Sequence, residues 1–303
     1  MFRKLFYLII ISLVIVSCNR TNDSEENIGE DIEIPDSIFD DKPLMISEEA
    51  MGDIIENISS PVEMAALLKQ TGVPFSKKYL CDVKRIDQLN TNFKRALNLG
   101  ILGSDLGYLN MYDKTGSVMN SMSSIKTLAD ELKIGQFFDF ETIKRLAVNH
   151  ENLDSLMYIS VSSFNNMDTY LRETNRSDIS SLIVVGTWIE GMYFATQVAK
   201  SVPNGKIVER IGEQKLILND ILLILKNYQS DKHFYDLVKD VEQIKESYKD
   251  VKITYTVGEP ESKEINGMLV IVTNDESHVE ISNEQLVNIT NIIEKVRNKL
   301  INL

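Results

Sequence analysis

Over residues 179–199 the chain is apolar on nearly every side that a helix presents. A helix with no polar face cannot lie on a surface, so it must be enclosed by other elements. That requirement constrains the fold more than any other feature of the sequence. It asks for several further helices with apolar stripes, long enough to cover a helix of about 20 residues, roughly 30 Å in length.

The rest of the chain provides them. From roughly Leu44 onward the apolar spacing is helical. Ser60-Pro61-Val62-Glu63 is a capping box with proline at the first helical position, and Gly72-Val73-Pro74 closes the helix it opens. A long helix is expected over about 90–112, with one stripe of Phe93, Leu97, Ile101, Tyr108 and Tyr112 and a second of Leu99, Leu102, Leu106 and Leu109. Gly100, Gly103 and Gly107 interrupt it. Inside a helix such glycines cost about 1 kcal/mol each against alanine, and the compensation expected is close approach of a neighbouring helix. Further helices are predicted from Val118 to a stop near Gly135, a short one around Ile143, Leu146 and Ala147, then 153–171, 207–228 and 234–248. The tail changes period: 251–257 and 278–281 alternate, and 268–273 is a short apolar run. Ser282 and Gln285 then cap a last helix carrying Leu286, Ile289, Ile293, Val296 and Leu300. The fold class expected is mostly α: a multi-helix bundle of long helices with a small extended or β element near the C-terminus.

The N-terminus reads differently. Arg3 and Lys4 precede apolar runs at 5–11 and 13–16. Together these are too short for the ~20 residues that span a bilayer. A positive start, a short apolar core and a small residue before the cut describe a signal peptide, expected over 1–17. Ile15-Val16-Ser17-Cys18 resembles the lipobox, in which the cysteine thiol is acylated and becomes the mature N-terminus. Cys18 is thus the expected lipidation site, and the membrane a partner through that anchor. No apolar run after the leader is expected to reach membrane-spanning length. Residues 18–43 form the lipidated cysteine and an acidic tether, since 19–41 hold nine acidic residues and one basic one. The helical domain then covers 44–303, with the extended element at 251–281 and the final helix at 283–301. Acidic residues close behind the lipidated cysteine also resemble the surface-export signal of Bacteroidota lipoproteins, which favours the cell surface over the periplasmic face.

Loss of Arg3 and Lys4 with the leader leaves 30 basic residues against 45 acidic, a net charge of −15. A protein this acidic repels nucleic acid, which is therefore not an expected partner. With Cys18 acylated, Cys81 has no cysteine to pair with, and an apolar burial fits it better than a nucleophile's role.

Enzymatic motifs are missing. His150, His233 and His278 have no second histidine three or four residues away, so paired zinc ligands are not formed and no metal is expected. The chain has no nucleophile elbow, no Walker loop and no dinucleotide fingerprint, and hence no expected cofactor. What stands out is a set of polar residues on apolar faces. Asp105 lies between Ile101 and Tyr108; Glu190 follows Gly186 beside Trp188; Gln214 interrupts Ile211 and Leu218; Asn149, Asn152 and Asp154 cluster where two helices meet. Buried charges need partners, so these groups form either a polar network that sets helix register or a polar pocket for a small ligand or cation.

Five segments resemble a group of uncharacterised helical outer-membrane lipoproteins of Bacteroidota: SPVEMA at 60–65, ALNLGILGSDLGY at 96–108, NHENLDS at 149–155, GTWIEGMY at 186–193 and IGEQ at 211–214. The resemblance spans most of the mature chain, roughly 60–248. It implies an envelope location and a helical fold, and it carries no activity across. The function expected is a non-catalytic binding or scaffolding role in the envelope through a protein partner. The alternative is a small-molecule or cation-binding protein using the polar pocket.

Overall fold

The computed structural model describes residues 32–33, 67–148, 153–202, 205–256, 258, 260–265, 268–273 and 276–302. Cys18 and the Ser60–Glu63 capping box lie outside them. The protein is a mostly helical bundle with a small antiparallel β element near the C-terminus, as the sequence periodicities predict. Its helices are α1 (Asn92–Met111), α2 (Thr115–Glu131), α3 (Phe140–Val148), α4 (Leu153–Glu173), α5 (Ser177–Ser201), α6 (Gly205–Lys226), α7 (Lys232–Ser247) and α8 (Asn283–Leu300).

Helix α5 is the enclosed one. It packs against α1, α4, α6 and α8. By length and composition it qualifies as a membrane-crossing helix, which the sequence was not expected to contain after the leader, yet 94% of its most apolar window is buried within the bundle. Three of its hydroxyls are satisfied within the helix: Ser180 and Ser181 both donate to Ser177 O, at 3.0 and 2.7 Å, and Thr196 donates to Met192 O at 2.9 Å. Back-bonding of this kind lets polar residues sit inside an apolar environment with no outside partner.

Helices α1 and α5 touch backbone to backbone. A Cβ on Gly100 would lie 2.0 Å from Ile183 O, and one on Gly186 would lie 2.1 Å from Leu97 O. The contact is reinforced by Ser104 Oγ, which donates to Thr187 O at 3.0 Å, and by Thr187 Oγ1, which donates to Gly100 O at 3.3 Å. The expectation for the glycine triplet therefore needs correcting at Gly103, around which a Cβ would meet nothing within 4 Å. Close approach is the business of Gly100 and its partner Gly186.

Stops and starts are local. Asp113, Lys133 and Asn175 take left-handed backbone (φ 57°, 59° and 55°) after α1, α2 and α4. Each is followed by an N–H that reaches five residues back: Lys114 to Leu109 O, Ile134 to Ala129 O and Arg176 to Leu171 O. These are Schellman-type ends made without glycine. Asp231 caps α7 by accepting from His233 N at 2.7 Å. Ser282 and Gln285 form the expected reciprocal capping box at α8, with Gln285 N donating to Ser282 Oγ at 3.2 Å.

The chain divides into two compact units, Glu33–Thr254 with Ser277–Leu303 and Met1–Ile32 with Tyr255–Glu276. The larger holds all the α-helices named above, and in a short sheet β2 (Lys252–Thr256) is flanked by β5 (Glu276–Glu280) and by the two-residue β1 (Ile32–Glu33). That two-residue strand falls within the acidic stretch. The smaller unit holds an antiparallel hairpin of β3 (Pro260–Ile265) and β4 (Met268–Thr273), in register from Pro260 opposite Thr273 to Ile265 opposite Met268. Strand β3 falls within the extended element expected over 251–281, although Glu261, Lys263 and Glu264 and a leading proline argue against a strand. Pairing with β4 supplies what its own composition does not.

Candidate functional site

Past the glycine contact α1 and α5 advance in the same direction, and the pairing runs from Ser104–Thr187 to Asp105–Glu190 and Tyr108–Phe194. Two carboxyl groups are thereby brought together in the middle of the bundle. Glu190 is 0% exposed and Asp105 1%. Across from them α8 carries Arg297, also buried, on the same stripe as Ile293, Val296 and Leu300. Its guanidinium grips Glu190 in a fork, with Nε to Oε2 at 2.8 Å and Nη2 to Oε1 at 2.6 Å. It also lies 4.4 Å from the centre of the Tyr193 ring. A bidentate arginine–carboxylate pair with an aromatic platform is among the strongest polar arrangements a protein interior holds.

One guanidinium faces two carboxyl groups, so their ionisation is coupled. Burial pushes Asp105 well above the ordinary aspartate value of 3.8, and the negative charge of Glu190 pushes it further. Burial also raises Glu190, but the hydrogen bonds and charge of Arg297 oppose the rise. For Arg297 burial works against the charge, and Glu190 outweighs it, holding the guanidinium more firmly protonated. Among the described residues no hydrogen-bond donor reaches Asp105 Oδ1. An orphaned buried anion is costly, and a protonated Asp105 hydrogen-bonded to Glu190 removes the cost. Burial and Glu190 thus favour the neutral form of Asp105, and Arg297 favours the charged form of Glu190.

Residues 73–81 cross this cluster as a strap. Four side chains hold its backbone: Tyr112 Oη donates to Val73 O (2.8 Å), Ser76 N donates to Tyr108 Oη (3.0 Å), Arg297 Nη2 donates to Tyr79 O (3.1 Å) and Cys81 N donates to Asp105 Oδ2 (2.9 Å). The strap's rings join the aromatic cluster of the bundle. Phe75 stacks on Tyr108 with centroids 5.5 Å apart, and Tyr79 meets Tyr193 edge-on at 6.4 Å. Burial, with Asp105 and Glu190 adding to it, pushes the Cys81 thiol up to about 12. It is therefore a thiol and not a thiolate at neutral pH, which removes it as a nucleophile.

The sequence-selected residues do not all meet. Asp105, Tyr108 and Glu190 belong to the cluster just described. Gln214 does not: its Oε1 accepts from Trp188 Nε1 at 2.8 Å, in a separate buried pair between α5 and α6. Trp188 and Glu190 are two residues apart, close to opposite sides of one helix, so they serve different neighbours. Asn149 and Asn152 lie outside the described residues, and Asp154 falls in α4 with its side chain outside them. Arg297, Tyr79 and Tyr193 were missed. A signal for Arg297 was present in the sequence, since it sits on the apolar stripe of the last helix where the others are aliphatic.

Chemically the cluster is a sealed ion-pair network. Glu190 has both oxygens engaged by Arg297 and Asp105 is covered by the strap, so neither is open to a substrate. Among the described residues no group of three or more His, Cys, Asp or Glu is placed to hold a metal ion. Comparison with known protein families, with curated proteins and with solved structures finds no match.

Proposed function

We propose that the protein is a lipid-anchored lipoprotein of the outer membrane, whose helical domain binds or scaffolds an envelope protein partner without catalysing a reaction. The observation that supports the non-catalytic part is the closure of the polar cluster. Ligand and active sites are concave and open, whereas Asp105, Glu190 and Arg297 are spent on one another and on the strap, and Gln214 is spent on Trp188. Such a network gives the bundle a single register. The anchor rests on Ile15-Val16-Ser17-Cys18, and the resemblance to Bacteroidota lipoproteins points to the same compartment.

Metabolic labelling with a clickable fatty acid should tag the wild-type protein, and Cys18→Ala should remain unlabelled and unprocessed. Tagged wild-type protein extracted in mild detergent from its native membranes should carry a stoichiometric protein partner, which survives Asp105→Asn. Normal labelling of Cys18→Ala would remove the anchor. A protein that is always recovered alone, even after crosslinking in intact cells, would remove the scaffold.

Surface display is tested separately. Protease added to intact cells should cut within 19–41, and replacing Asp23, Glu25 and Glu26 with alanine should reduce the cut fraction. Cleavage seen only after the outer membrane is breached would place the domain on the periplasmic side.

A further inference from the structure

The strap and the proton in the cluster beneath it are linked by geometry. Cys81 N–H donates to Asp105, and Tyr79 O accepts from the arginine that neutralises Glu190. Among the described residues the titratable groups facing Asp105 are part of the cluster or of the strap: Glu190 from α5, Arg297 from α8 and the Cys81 thiol from the strap, with Tyr193 and Glu294 one step further out. Among the described residues Asp105 Oδ1 has no donor, so a proton on the acid pair is what reconciles two buried carboxyl groups with one guanidinium. Without it the site holds two anions against one cation in a low-dielectric interior.

Water is the remedy, and the strap is the cheapest way to admit it. Helices α1, α5 and α8 are fixed by close packing and by the glycine contact. The strap is thinner. Lys77 and Lys78 are exposed, Tyr79, Leu80 and Cys81 are half-buried, and the turn Lys77–Tyr79 buries no residue. Lifting residues 76–81 breaks three of the strap's four side-chain bonds and hydrates Asp105 directly. Local opening of such a segment costs much less than global unfolding.

We propose that residues 76–81 are a proton-operated latch, closed while Asp105 and Glu190 hold one proton between them, and lifted when that proton passes to solvent, uncovering Cys81. The sign follows from Asp105. It binds its proton more tightly with the latch closed than in the open or unfolded chain, because burial and Glu190 raise it above its ordinary 3.8. The closed state is therefore fully favoured below the ordinary aspartate range and loses ground as pH climbs through the raised value. Cys81, unreactive when covered, becomes an ordinary thiol when the latch is open.

The test uses full-length protein in detergent, with peptide-resolved hydrogen exchange and maleimide labelling of Cys81 stepped from about pH 5 to about pH 9. Exchange is divided by intrinsic rates, and labelling by that of the urea-unfolded chain, so that only protection is read. Protection of 76–81 and of the Cys81 thiol should fall at least about tenfold over that interval, while α5 amides stay protected. In Asp105→Asn, which keeps an acceptor for Cys81 N–H and donates to Glu190 at every pH, protection should be flat. In Glu190→Gln, which removes the neighbouring anion, the fall should move to lower pH. A wild-type profile that is flat, a fall shared by α5, the same fall in Asp105→Asn, or an unmoved midpoint in Glu190→Gln would each overturn the latch. If Asp105→Asn does not fold, the Glu190→Gln midpoint alone decides.

Discussion

Arg297→Ala is expected to cost about 3–5 kcal/mol, the penalty for removing one partner of a buried ion pair and leaving the other charge uncompensated. Against a typical domain stability of about 5–15 kcal/mol, that is enough to bring urea denaturation close to the native baseline. The reason is specific to this site. Arg297 donates to both oxygens of Glu190 and to the carbonyl of Tyr79, so its loss takes a donor from three acceptors at once. Part of the loss should be recovered at low pH, where Glu190 is protonated and joins Asp105 as a neutral acid. Glu190→Gln should cost less than Glu190→Ala, since the amide keeps shape and one acceptor for the guanidinium. Replacing the pair together, Glu190→Leu with Arg297→Met, should restore part of the stability, because it leaves no buried charge uncompensated and removes a partner only from Tyr79 O and Asp105. Urea midpoints of Glu190→Leu, Arg297→Met and the two combined form a mutant cycle. Arg297→Ala with wild-type stability at neutral pH would show that the pair is not buried as described.

Gly100→Ala is the second large effect, and its origin is purely steric. The added methyl carbon would sit 2.0 Å from Ile183 O and 2.7 Å from Thr187 N. Both are backbone atoms of α5, so no side chain can rotate aside and the helices must separate. Separation loses the Ser104–Thr187 and Thr187–Gly100 hydrogen bonds as well as the packing. Overpacking costs typically about 1–3 kcal/mol, and a clash with backbone belongs at the upper end or beyond. Gly186→Ala should behave alike, with its methyl 2.1 Å from Leu97 O. Gly103→Ala is the control. It meets no atom within 4 Å, and alanine's helix propensity should stabilise the protein by up to about 1 kcal/mol. Thermal melts should therefore rank Gly103→Ala at or above wild type and both other variants well below it. A Gly100→Ala melt matching wild type would mean that α1 and α5 are not in backbone contact.

These two sites show where sequence reasoning reaches. The enclosure of α5, the long helix α1 and the caps at Ser282 and Gln285 follow from period and local hydrogen bonding, which neighbouring residues control. The anomaly at Asp105 and Glu190 is also legible, because a charge on an apolar stripe is visible at helical spacing. Its resolution is not. Arg297 lies 107 positions from Glu190 in the chain and Tyr79 lies 218 from Arg297, and no periodicity relates residues so far apart. The three glycines of α1 are alike in sequence, yet only packing assigns close approach to Gly100 and open space to Gly103. Strand β3 shows the opposite case: its residues disfavour a strand, and only its register against β4 makes it one.

The sequence by itself determined which helices must be buried, where several of them begin, and that charged groups would be trapped among them, since all three depend on hydrophobic period and nearest-neighbour bonding. Only the tertiary structure decided who neutralises whom. It set Arg297 on Glu190, favoured the neutral form of Asp105, sent Gln214 to Trp188 and laid the 73–81 strap over the acids. Those choices depend on which faces of α1, α5, α6 and α8 meet, and the free energy of a buried charge depends on what it meets far more than on its place in the chain.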